Sequence, residues 1–203
     1  LGDTETAKVF HIWTLGQLLK KTPSEEATKV LKELLLGTSP RLTMAVLKIL
    51  SENKPAFTLT SDELNKLLNH ENPQVKAQAA LCLAAQPQVA CLPTLLSLLE
   101  SNKNDAWMRH ACTMALTSLL QKDPATWEAI QSSSAKPSIR LAGVVAARKL
   151  LAEKALITFL NDTDVAVQQE AIRAVHDEPG LVEAKRVLAA LPISKHLTVP
   201  VQL

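Results

Sequence analysis

The chain has no tyrosine, and only three tryptophans and three phenylalanines stand among its 203 residues. A core built on aromatic rings is therefore excluded. Five glycines leave few places for left-handed turns, which argues against a β-sandwich or barrel with its many tight connections. Neither sign of charge dominates: 22 Lys and Arg against 20 Asp and Glu leave +2. Composition thus supplies no general reason to bind nucleic acid or an acidic membrane. No apolar run reaches the ~18 residues of a membrane helix. The start, Leu1-Gly2-Asp3-Thr4-Glu5-Thr6, has neither the basic nor the apolar region of a signal peptide. The cysteines, Cys82, Cys91 and Cys112, form no CxxC or CxxCH motif. Cys82 and Cys112 lie among apolar residues and read as small buried hydrophobes. A Cys82–Cys112 or Cys82–Cys91 bridge stays open, because spacing alone fixes no disulfide geometry.

Present in quantity are leucine and alanine, both strong helix formers, and they recur with a period. Five segments open on a turn and continue as an amphipathic helix: Ser39-Pro40-Arg41-Leu42, Asn72-Pro73-Gln74-Val75, Asp105-Ala106-Trp107-Met108, Lys136-Pro137-Ser138-Ile139 and Thr163-Asp164-Val165-Ala166-Val167. Their first apolar anchors, Leu42, Val75, Met108, Ile139 and Val167, are 33, 33, 31 and 28 residues apart. One step back from Leu42 lies Val9, the anchor of a sixth helix. Four residues after the anchors stand Trp13, Val46, Ala79, Cys112, Gly143 and Ala171; eight after stand Gln17, Leu50, Leu83, Leu116, Ala147 and Val175. Residues four apart share a helix face, so each set of three forms one buried stripe. The mostly small residues at the first of these sites let a neighbouring helix approach closely, and Trp13 and Gln17 depart from the pattern as a terminal repeat does.

Proline at the first helical turn costs no hydrogen bond, which accounts for Pro40, Pro73 and Pro137. Ser39, Asn72, Asp105 and Asp164 are the expected N-caps. Paired helices with their own apolar stripes fall at about residues 24–36, 61–70, 89–100, 124–132, 152–160 and 179–190. The paired helix opening Ser61-Asp62-Glu63 reads as a cap followed by an acidic first turn. A helix pair cannot bury both faces alone, and stacking supplies the core. The expected fold is all-α: a solenoid of about six helix pairs over residues 1–190. Residues 191–203 are read as an irregular extension leading to another domain, which, with the start, suggests a piece of a longer protein.

The helix pattern of turn, Pro or Asp, then Val-Arg and a small residue resembles HEAT repeats, most closely in Asn72–Ala79 and Lys136–Gly143. A narrower resemblance rests on Phe10-His11-Ile12-Trp13-Thr14-Leu15, Asp105-Ala106-Trp107-Met108-Arg109, Asn161-Asp162-Thr163-Asp164 and Ala171-Ile172-Arg173-Ala174-Val175-His176-Asp177. In that order they look like the HEAT-like region of large bacterial proteins, common in planctomycetes, that join a sugar-dehydrogenase-like propeller to a c-type cytochrome domain. It covers about residues 7–190. It implies an extracytoplasmic parent and carries over no catalytic residue, because the propeller and CxxCH lie outside this sequence.

Lys76, Arg109 and Arg140 each follow an anchor and form a basic ladder, with Arg41 nearby. Two readings compete: a track for an anionic or acidic partner, or structural rungs that bond turn acids and helix-end carbonyls. His11, His70, His110, His176 and His196 show no HxxxH or HExxH spacing, and no metal is expected. Trp107, beside Asp105 and Arg109, also suggests HEAT-like DNA-repair glycosylases, whose basic face grips an altered nucleotide. Balanced charge favours packing between repeats as the account of Trp107. No nucleophile elbow, P-loop or dinucleotide fingerprint occurs, and neither enzyme activity nor a cofactor is expected. The expected role is a protein-interaction or interdomain scaffold that uses a groove formed by the second helices. Its candidate surface is Arg41, Lys76, Arg109, His110, Arg140 and Arg173; its partners are proteins or neighbouring domains. The rivals are a nucleic-acid-binding protein or enzyme of the DNA-repair glycosylase type on the same scaffold, and a passive spacer in a redox protein.

Overall fold

The computed structural model describes residues 4–52 and 55–191. They form twelve α-helices and no strand: α1 (Glu5–Leu19), α2 (Glu25–Leu35), α3 (Pro40–Leu50), α4 (Ser61–Leu68), α5 (Pro73–Ala85), α6 (Leu92–Ser101), α7 (Ala106–Lys122), α8 (Thr126–Gln131), α9 (Pro137–Leu150), α10 (Glu153–Phe159), α11 (Val165–Asp177) and α12 (Val182–Ala190). The anchored helices are the odd-numbered ones, and each packs on the next along a single layer. The even helices pack against the anchored helices beside them, and α10 touches both α8 and α12. This is the α-solenoid that the repeat implies. From residue 192 onward the expected C-terminal extension lies outside the described residues.

The caps fall where small polar side chains can satisfy free helix-start amides. Ser39, Asn72, Asp105 and Asp164 each accept from amides of the first turn. In α4 the cap is Thr60, one residue earlier than Ser61. Thr60 Oγ1 accepts from the Glu63 amide at 3.2 Å, and a Glu63 carboxylate oxygen accepts from the Thr60 amide at 2.7 Å. Only Thr60 stands three residues before a Glu, which is the spacing a reciprocal cap needs.

In α3, α5, α7, α9 and α11 the anchor and the residues four and eight beyond it are all buried. Gly143 shows why small residues occupy the middle site. A Cβ added there would lie 2.5 Å from Ile130 Cγ2 of α8 and 3.0 Å from Phe159 Cζ of α10. Two even helices straddle the anchored helix at this point. In α1 the stripe is open: Trp13 is 57% exposed, and Ile12, Gly16 and Leu19 are buried in its place. α1 buries the side turned to α2 and α3 and leaves Trp13 in solvent. The connection from α3 to α4 is fastened by buried Gln86, which accepts from the Leu59 amide at 2.9 Å and donates to the Phe57 carbonyl at 3.1 Å. No helix of the described residues is long and apolar enough to cross a membrane.

Candidate interaction cleft

The residue after the anchor has a shared task in four of the six anchored helices. Thr43 Oγ1 donates to the Leu35 carbonyl at 3.1 Å, and Gln168 Nε2 donates to the Leu160 carbonyl at 3.0 Å. Both carbonyls end a preceding even helix and lack intrahelical partners. Arg109 Nη1 donates to the Lys103 carbonyl at 2.8 Å, in the turn that follows α6. Arg140 Nη1 donates to the Ala135 carbonyl, in the turn that follows α8. These bonds are rungs that tie α3, α7, α9 and α11 to the ends of their predecessors. Chemistry varies from hydroxyl to amide to guanidinium because only a donor of suitable reach is needed.

This geometry removes Arg140 from the candidate surface. Its Nε and Nη2 donate to the two carboxylate oxygens of Asp162 at 2.8 and 2.9 Å. Both side chains are only 7% exposed. Burial follows from the paired donors: a guanidinium leaves water here only because the carboxylate and the Ala135 carbonyl replace its hydration. Asp162 also accepts from the Asp164 amide at 2.8 Å and so shapes the turn into α11. Lys76 is half-buried, with no such bond among the described residues. The ladder is therefore not one continuous exposed basic track. Arg41 stays at the N-terminal end of the stack, where it donates to Thr6 Oγ1 at 3.1 Å and lies 3.7 Å from Glu5.

Arg109 and the neighbourhood of Arg173 meet at a cleft of about 570 Å³, built on the end of α6 and on α7, α9 and α11. Its apolar lining includes Leu99, Leu141, Ala142 and Val145, and Val145 is 44% exposed. Glu100 accepts from Ser138 Oγ and lies 3.4 Å from Lys103 Nζ. The Ser138 hydrogen bond, aided by Lys103 and by the charge of Lys136, holds the Glu100 carboxyl below its ordinary value against the opposing effect of burial. Glu170 lines the α11 side and pairs with Arg173 at 3.2 Å. Arg109 lines the opposite side with no carboxylate in ion-pair reach among the described residues. His110, exposed, stacks on Trp107 with ring centroids 6.1 Å apart. Trp107 itself is 58% exposed, which corrects the expectation that it packs between repeats. Its place immediately before the anchor Met108 turns it out of the buried stripe.

A second hollow, of about 820 Å³, lies against the second helix α2 and reaches Glu63 of α4. Its walls are mostly charged and partly matched to one another: Lys32 lies 3.0 Å from Glu63, and Lys29 stands among Glu25 and Glu33. Leu36, 53% exposed, also lines that hollow, whereas the cleft on the anchored helices joins several apolar side chains, Leu99, Leu141, Ala142 and Val145, in one floor. Leu141, Val145, Glu100 and Glu170 were missed because the repeat draws attention to buried stripes. A usable signal was the apolar residue six beyond the anchor, as in Leu15, Leu81, Met114 and Val145, which lies off the buried stripe.

The three cysteines are free thiols, all buried. Burial pushes Cys82 and Cys112 up to about 12 and raises Cys91 as well, helped there by Asp62. Among the described residues no three His, Cys, Asp or Glu side chains gather in a way that could hold a metal ion. His70 Nδ1 instead accepts from the Asn72 amide at 3.0 Å, and His176 lies 3.2 Å from Asp177. His196 lies outside the described residues.

Residues 61–148, which span α4 to most of α9, match the family model described as HEAT repeats. A search of curated proteins found no match. HEAT repeats are commonly protein-interaction scaffolds and are generally non-catalytic. The match and the stacked helix pairs together support a HEAT-like repeat protein.

Proposed function

We propose that this chain is a non-catalytic interaction module that holds a segment of another polypeptide in the cleft across α7, α9 and α11. The observation that carries the reading is the exposed apolar floor at Val145 and Leu141 inside a charged rim. A monomeric surface gains nothing from leaving aliphatic side chains in a concave site, whereas burial against a partner returns about 25 cal/mol per Å² of apolar area. A solenoid suits the task because stacked repeats hold the walls rigidly and present side chains at repeat spacing. The resemblance over residues 7–190 to the helical region of propeller and cytochrome proteins adds a setting in which such a module stands between domains of a longer chain. Site-specific photocrosslinking tests the reading. A photoreactive residue at Val145 should give one discrete protein adduct in cells that make the protein, and one at Val30, exposed on α2, should give none. Equal labelling from both positions, or none from either, overturns it.

A further inference from the structure

The cleft is asymmetric in charge. Its two lining carboxylates are already engaged, Glu100 by Ser138 and Lys103 and Glu170 by Arg173. Its cations are less committed. Arg109 spends one donor on the Lys103 carbonyl and meets no carboxylate among the described residues. Lys136 and Lys149 lie outside the lining but flank it along α9, the first just before Pro137 and the second one turn beyond Val145; both are exposed and neither has an ion pair among the described residues, although the charge of Lys136 acts on Glu100. Lys149 Nζ rests 3.1 Å from Met114 Sδ on α7. An apolar floor is thus flanked by three cations, none of them in an ion pair among the described residues.

Resting on the reading of this cleft as the docking face, we propose that its occupant is an acidic polypeptide segment bearing aliphatic side chains. The aliphatic groups sit on Leu141 and Val145, and the carboxylates meet Arg109, Lys136 and Lys149. Charge complementarity selects the sign of the partner and speeds its encounter. The floor selects against a purely anionic polymer, because phosphates gain nothing from Leu141 and Val145. Arg140, buried on Asp162, is withdrawn from any basic track that nucleic acid could follow.

The test is fluorescence anisotropy with a labelled synthetic peptide of alternating Glu and Leu, measured on the full chain at low and physiological salt. Binding should weaken with salt. It should fall roughly ten-fold or more in Lys149→Glu and in Val145→Asp, both exposed sites whose variants keep the native melting temperature. A Lys-for-Glu peptide and a Ser-for-Leu peptide should bind far more weakly. The proposal is overturned if the Glu/Leu peptide fails to bind at low salt, if either control binds as well, or if both variants bind normally. Displacement of the peptide by a single-stranded oligonucleotide of equal length at lower concentration also overturns it, in favour of nucleic acid. A discrete Val145 crosslink without Glu/Leu peptide binding removes only the acidic occupant; loss of both removes the docking face as well.

Discussion

Arg140 and Gly143 show how single residues fix the joint between two repeats. Arg140 holds Asp162 through two parallel bonds in a site that excludes water. Removing one partner strands the other, so Arg140→Ala should cost about 3–5 kcal/mol, read as a fall in unfolding free energy in urea. The double variant Arg140→Met with Asp162→Leu should recover much of that loss, because no lone charge remains buried. Gly143 has a different constraint, since it is the place where α8 and α10 close over α9. Gly143→Val should destabilise by about 1–3 kcal/mol through overpacking against Ile130 and Phe159. Equal stability of Gly143→Val and wild type in thermal melts would show that the two even helices can part at that point.

At the scale of the element, α4 depends on its reciprocal cap and on a tie to α2. Burial by itself would raise the Glu63 carboxyl, but the Thr60 amide and Lys32 outweigh it, and the folded value lies below the ordinary one. The unfolded chain therefore binds the proton more tightly than the folded chain. This contribution is fully present above the ordinary carboxylate value and is lost as pH falls through the depressed folded value. Glu63→Gln should accordingly lose less melting temperature than wild type between about pH 6 and pH 3. Thr60→Ala, which removes the other half of the cap, should cost about 1 kcal/mol near neutral pH.

For the whole molecule, the layered stack implies stability that varies along the chain. In α7 eight residues are buried, from Met108 to Leu120, and the helix is packed by α5 and α9. In α12 only Ala184 is buried, and α1 buries three residues with Trp13 and Phe10 left in solvent. Nearest-neighbour energetics then place the strongest protection in the middle. Native-state hydrogen exchange should find the slowest amides in α5, α7 and α9 and the fastest helical amides in α1 and α12. Uniform protection across all twelve helices would show that the stack opens only as one unit.

The sequence by itself determined the helices, their alternation and their buried stripes. These follow from local rules: a 3.6-residue period, caps that satisfy orphan amides, and prolines confined to first turns. That is why Leu42, Val75, Met108, Ile139 and Val167 could be aligned and why four of the caps were readable. Only the tertiary structure decided what happens between repeats. Whether a cation after an anchor faces solvent, as Arg109 does, or lies beneath Asp162, as Arg140 does, depends on an acid 22 residues away reaching the same turn. The cleft has the same origin: Glu100, Arg109, Val145 and Glu170 come from four helices, and only stacking places them around one hollow.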